Sequence, residues 1–404
     1  MKSLTPRTNL LLYSLLLILT PFILLQNYLQ DLVGNASNSH LQVAEFRIPY
    51  ILIIALFLLV FVLIKTRKLL NKQIVLSWAT GFSLWFVGWL TSDYYMSKPF
   101  YDLQTNWHYI AYGLFVLVAY NSLRNKYHEP SKLILQIFIR ALIISSADEI
   151  IQIYLSSRVF DMSDIAKDLW GTISGIIILF IGHEYPEIIK TFPKISEAKL
   201  KDYLRNPLSI IILLMLFSYL FLSISSLLTE IQYTANIIFI TGFLFLILFF
   251  IIHQARTKSG KRIILIAIGL SVFLLGFSFV FNAKQNIQHR SSGLVIYKGL
   301  PLPYFDLMFF ENGGFRFVDK KSYFTQGDLL HFFHKTSNIL LIGNNEVGTS
   351  SLGFPENLES QFMYNIHEKK VIQIIIQPSA QACQTYNRLK SEGKKVTFVL
   401  HNTD

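Results

Sequence analysis

Cysteine is nearly absent. The single one, Cys383, excludes an intrachain disulfide and says nothing about compartment, because lacking disulfides is normal on both sides of a bacterial membrane. Charge is also sparse, with 15% of residues charged and 36 Lys or Arg set against 25 Asp or Glu. Together with a hydrophobic content of 52%, this excludes a disordered chain and points to a polytopic membrane protein. Signature motifs are missing as well. There is no phosphate-binding P-loop, no GxGxxG and no GxSxG. No second His or Cys lies at i+2 or i+4 from His108, His183 or Cys383, so the spacing offers no metal set, and no cofactor is expected.

What is present is a series of apolar runs. A transmembrane helix needs about 20 mostly apolar residues. Nine stretches meet that need: Leu10 to Leu29, Ile48 to Ile64, Ile74 to Leu90, Trp107 to Leu123, Leu133 to Tyr154, Ile165 to Ile181, Leu208 to Leu228, Ala235 to Ile252 and Ile263 to Val280. The first lacks a small-residue cleavage site and reads as a retained helix rather than a signal peptide. Charges between the spans set an orientation. With the N-terminus in the cytoplasm, the inner segments hold 18 basic residues and the outer loops hold four, Arg47, Lys98, Arg158 and Lys167. The basic excess therefore reports orientation and contact with anionic lipid, not nucleic-acid binding. No repeat relates the spans, and no broken helices occur in matched halves, which argues against a transporter.

One polar stretch, Asp148 to Gly175, interrupts this pattern. Charged side chains near lipid are costly and mark function by default. Asp148, Glu149 and Gln152 fall near one helical face, and Asp164, Asp168, Gly171 and Gly175 form one stripe on a second helix. Arg158 lies in the connection between the two. Asp161 or Asp164 is either part of the site or a cap for the second helix, whereas Asp168 lies one turn too deep to cap. Gly171 and Gly175 form a GxxxG pattern that favours close helix packing. His108 stands at the start of an earlier span, as a proton carrier or an interfacial hydrogen-bonding residue. Arg140 is expected to snorkel toward the inner side.

These residues resemble the VanZ-like family of bacterial membrane proteins. Asp148-Glu149, Gln152, Arg158, Asp161, Asp164, Asp168, Gly171 and Gly175 carry the likeness, with Trp107-His108-Tyr109 and Tyr112 upstream, over about Pro49 to Gly182. The resemblance implies a place in the cell envelope and an association with low-level glycopeptide (teicoplanin) resistance.

After Phe281 long apolar runs stop, and a small soluble domain is expected. Ile339 to Ile342, Val371 to Ile376 and Lys395 to Leu400 read as strands, and Ser379 to Ser391 as a helix between Pro378 and Gly393. Strand, helix and strand suggest an α/β layer. The segment Ala380 to Val396, with Gly313 to Phe315 and Leu340 to Gly343, resembles the small α/β domain of mitochondrial complex I assembly factor three. That implies a binding or assembly module, with a protein partner. Cys383, Tyr386 and Asn387 either line a pocket there or serve the packing of helix on sheet.

The expected protein is thus mainly α, a polytopic helical membrane bundle of about nine spans with a C-terminal α/β domain. Residues 1–48 hold the first span and an outer loop, 49–183 the VanZ-like core, 184–281 an inner loop and three further spans, and 282–404 the soluble domain. The bundle would lie in the bacterial inner membrane with its polar site and its tail outside. There His108, Asp148, Glu149, Gln152, Arg158, Asp164 and Asp168 would bind a lipid-linked or cell-wall component. Arg158 would meet an anionic group, and the acids a cationic or hydroxyl group. Two alternatives stand beside this: an enzyme using carboxylate acid/base chemistry on a lipid-linked substrate, and a scaffold acting through the tail.

Overall fold

The computed structural model describes residues 5–23, 39–43, 46–67, 71–92, 100–154, 160–191, 199–229, 231–255, 257–281, 286–291, 293–303, 305–318, 337–344, 360–365 and 370–402. The protein is mainly helical and divides into two compact units. The first comprises Met1–Ser226 and Ile231–Arg256, the second Leu227–Glu230 and Thr257–Asp404.

In the first unit the helices are α1 (Pro6–Ile23), α2 (Tyr50–Thr66), α3 (Lys72–Thr91), α4 (Leu103–Leu123), α5 (Pro130–Gln152), α6 (Met162–Ile176), α7 (Leu200–Arg205), α8 (Pro207–Leu227) and α9 (Thr234–Gln254). A hairpin, β1 (His40–Val43) with β2 (Phe46–Pro49), precedes α2. Each of the nine apolar runs overlaps a helix, counting α10 of the second unit; Ile48 and Pro49 fall in β2 instead, and residues 24–29 of the first run lie outside the described residues. Four of these, Lys72–Thr91, Met162–Glu184, Pro207–Leu227 and Ile231–Gln254, are long and apolar enough to cross a membrane by length and composition.

Local chemistry sets the helix ends. Asn71 caps α3 by accepting from Gln73 N and Ile74 N at 3.0 and 2.9 Å. Pro130 occupies the first turn of α5, where its missing N–H costs nothing. Asp161 caps α6 by accepting from Ser163 N at 2.8 Å. Beyond Ile176 the helix winds as a π-helix over Ile177–Glu184, and the Gln73 side chain donates to the carbonyls of Ile181 and Pro186 there. α6 is the centre of the unit: thirteen of its fifteen residues are buried. By contrast α9 shows Ile238, Phe239, Phe243, Leu246 and Phe250 on its outside, the surface a lipid solvent favours.

The α4–α6 seam has no side chain in it at two points. A Cβ on Gly171 would come within 2.8 Å of Tyr109 Cα, and one on Gly175 within 2.7 Å of the Gly113 carbonyl oxygen. Only glycine lets the backbones approach this closely.

The second unit contains α10 (Lys258–Phe281), two sheets and α11 (Ser379–Ser391). A three-stranded meander is made by β3 (Ile287–Ser291), β4 (Leu294–Tyr297) and β5 (Leu300–Pro303). The larger sheet holds β6 (Asp306–Phe309), β7 (Phe315–Val318), β8 (Ile339–Asn344), β9 (Ser360–Asn365), β10 (Lys370–Pro378) and β11 (Val396–Leu400) in the order β7-β6-β11-β8-β10-β9. β11, β8 and β10 are parallel, and α11 joins β10 to β11. Strands buried on both faces read as near-continuous apolar runs, as Leu340 to Ile342 does and as Val396 to Leu400 does but for the buried Thr397. The core packs Leu341, Phe398, Phe309, Ala382, Tyr386 and Leu389 together. The first strand of this unit, β3, begins at Ile287.

Candidate functional site

α4, α5 and α6 bring the polar residues of the first unit into one network. His108, on the first turns of α4, presents Nδ1 to Asp168 Oδ1 at 2.9 Å and Nε2 to Asp164 Oδ2 at 3.6 Å. Asp164 and Asp168 are one turn apart on α6, so one imidazole spans both. Asp168 is buried and accepts a second bond from Ser145 Oγ of α5 at 2.6 Å. Asp164 also accepts from Lys167 Nζ at 2.8 Å. Tyr112, one turn further along α4, is buried beside Ser145 and Asp168.

Glu149 forms a second knot. It is buried and accepts from Gln152 Nε2 at 2.7 Å and from Asp161 N at 3.0 Å. Asp161 thus does two jobs: its side chain caps α6 and its N–H ties α6 to α5. Of the two acids weighed as caps, Asp161 takes that role and Asp164 joins the network. Asp148 is half-buried on α5 beside Glu149. Arg158 lies outside the described residues, so the partners given to Glu149 here are Gln152 and Asp161.

Lys167 corrects an expectation. It reads as an outer-loop charge, but it lies inside α6, buried, and is matched by Asp164. The helix starts at Met162, so Lys167 is not a loop charge. Lys167 and Ser145 are the members that sequence reasoning missed. Ser145 does carry a faint signal: it lies four residues before Glu149, on the same face of α5.

The network is graded in exposure. Asp168 and Lys167 are buried, while the side chains of His108 and Asp164 are 19% and 26% exposed. Access to the network therefore runs past His108 and Asp164. Three carboxylates, Glu149, Asp164 and Asp168, face one lysine and one imidazole. Such a set is rich in hydrogen-bond acceptors and suits a ligand that brings donors.

In the second unit, Cys383 and Tyr386 are core side chains on the sheet-facing side of α11. Burial pushes the Cys383 thiol up to about 12 and raises the Tyr386 phenol as well. Asn387 clamps the edge strand β3, accepting from Ile287 N at 3.0 Å and donating to Ile287 O at 2.8 Å. These three hold helix to sheet. A pair not foreseen in the sequence joins β6 to β11: Asp306 accepts from His401 Nδ1 at 2.8 Å and from Asn402 N at 2.8 Å, all buried.

No family model, curated protein or solved structure matches the chain.

Proposed function

We propose that the protein is a VanZ-like multi-pass membrane protein of the bacterial envelope. Its polar network would bind a donor-bearing group, ammonium or hydroxyl, of a lipid-linked or cell-wall component at the outer surface. The observation that carries this reading is the clamping of His108 between Asp164 and Asp168 at one end of α4 and α6, half-open to the surface. A structural brace has no use for surplus acceptors at the end of an apolar bundle. All nine helices would span, with the N-terminus cytoplasmic, in accord with the loop charges.

Binding is favoured over acid/base catalysis by Glu149. It is buried, and each of its oxygens already accepts one hydrogen bond, from Gln152 and from Asp161 N, whereas Asp164 stands nearer the surface. The reading is tested at Asp164, the most open acid. Asp164→Asn should leave the thermal midpoint of the purified protein within a few degrees of wild type. The same change should abolish the glycopeptide-susceptibility phenotype of the gene in cells. Stability and phenotype falling together would leave only a structural role for the network.

A further inference from the structure

α5 carries one more charge within its length. Arg140 lies ten residues beyond Pro130, so its Cα is about 15 Å from that end of the helix. It makes no hydrogen bond or ion pair with any described residue, and its Nε is buried without a partner. An ionised group unpaired at such depth in a membrane carries a large free-energy penalty. Among the described residues nothing supplies that partner, and a bound ligand can.

Three observations choose that partner. Cα–Cβ bonds in a helix tilt toward the N-terminus, so the side chain reaches back toward Pro130 and brings the guanidinium to roughly 8–9 Å from that membrane surface. The neighbours of Arg140 divide: Ile139 and Ile143 are exposed, whereas Ile137, Ala141 and Ile144 are buried. Arg140 thus stands at the seam between the lipid-facing surface of α5 and the helix bundle. The same end of α5 is bordered by Arg124, Lys126 and Lys132, the basic side of the bundle. A permanently charged, forked donor at this depth matches a phosphate, which it can hold through two parallel N–H···O bonds. At a lipid-facing seam the phosphate available is the diester of a phospholipid.

We propose that Arg140 is the anchor of a phospholipid-binding site, holding one headgroup phosphate in the seam beside α5. The site rests on the reading of α5 as membrane-spanning and is separate from the His108 network.

The test uses the purified full-length protein in micelles of detergent and galactolipid, which contain no phosphate. Phosphatidylglycerol is titrated in and the thermal midpoint followed. Wild type should gain stability with added phosphatidylglycerol. Arg140→Gln should need about tenfold more lipid for the same shift, the scale of one lost charge-assisted contact. Arg140→Lys, which keeps the charge but not the fork, should fall between them. Lys132→Gln, at an exposed site paired with Glu129 at 2.9 Å, should match wild type. Identical titrations for wild type and Arg140→Gln would overturn the site. So would an equal shift with inorganic phosphate at matched concentration, which would mark a soluble anion. If Arg140→Gln does not fold, Arg140→Lys against wild type decides, and equal curves for those two overturn it. A chain found in the aqueous fraction after membrane extraction would defeat the spanning reading itself. Membrane extraction with no lipid preference would defeat only the phospholipid site.

Discussion

Asp168 serves two helices at once, taking His108 from α4 and Ser145 from α5. Replacing it by Ala leaves the buried Ser145 hydroxyl without its acceptor and His108 with only the longer contact to Asp164, and should cost about 2–5 kcal/mol. Asn, which keeps an acceptor oxygen, should cost less than half of that. Chemical denaturation of the two variants side by side measures the difference, and equal losses would show that shape alone matters there. Cys383 gives a second expectation. Its thiol is held up to about 12 when folded, against about 8.5 when unfolded. Above the unfolded value the unfolded chain releases its proton first. The contribution of Cys383 is therefore complete below about pH 8.5 and is lost as pH rises toward 12. Between pH 9 and 11 the wild type should lose about 1.4 kcal/mol per pH unit more than Cys383→Ala. Parallel stability curves would contradict the burial of this thiol. At this scale the sequence was readable where partners are close along the chain, as with Glu149 and Gln152 three residues apart. His108 and Asp168 are sixty residues apart, and only tertiary packing joins them.

Helices were the most readable elements, because a long apolar run satisfies its backbone polar groups internally by becoming one. Their ends were less so. α5 and α10 begin three and five residues before their apolar runs, through polar or charged residues that suit a membrane surface. In the tail, β8, β10, α11 and β11 fall within a residue or two of the expected ranges, since β-branched and apolar runs are strong signals. The meander escaped notice. β5 reads LPLP, and two prolines argue against a strand unless it lies at an edge, as this one does. The turn before it holds Lys298 at φ 47° and Gly299 at φ 84°, a two-residue hairpin signature that was present in the sequence. The element-scale prediction concerns the α4–α6 seam. Gly175→Ala drives a methyl into the Gly113 carbonyl and should cost about 1–3 kcal/mol by overpacking. Gly242→Ala on α9, where nothing lies within 4 Å, should be neutral or stabilising. Equal effects at the two glycines in a thermal-shift assay would refute the close approach.

For the whole molecule the open variable is the side of the membrane on which the tail lies. On the proposed reading, nine spans and a cytoplasmic N-terminus would put it outside. Within the second unit, Arg316 of β7 donates to Thr229 Oγ1 at 2.6 Å. Asn402 is unsuited to labelling because it is buried and bound to Asp306. Glu392, in the exposed turn after α11, is accessible. Glu392→Cys should react with an impermeant thiol reagent in intact cells, while Lys126→Cys should react only after lysis. The reverse pattern would invert the topology, and a silent tail beside a silent Lys126→Cys would remove an odd number of spans from the count.

The seam at Gly171 and Gly175 also governs how such a chain can drift. Positions on the outside of α9 accept any apolar residue, since lipid tails do not distinguish Leu from Phe or Ile. The two glycines accept no replacement without parting α4 from α6 and stretching His108 away from Asp168. Information is therefore concentrated in a few small residues and diluted over long greasy surfaces. Two chains could keep the seam and the clamp intact while sharing almost none of their exterior letters.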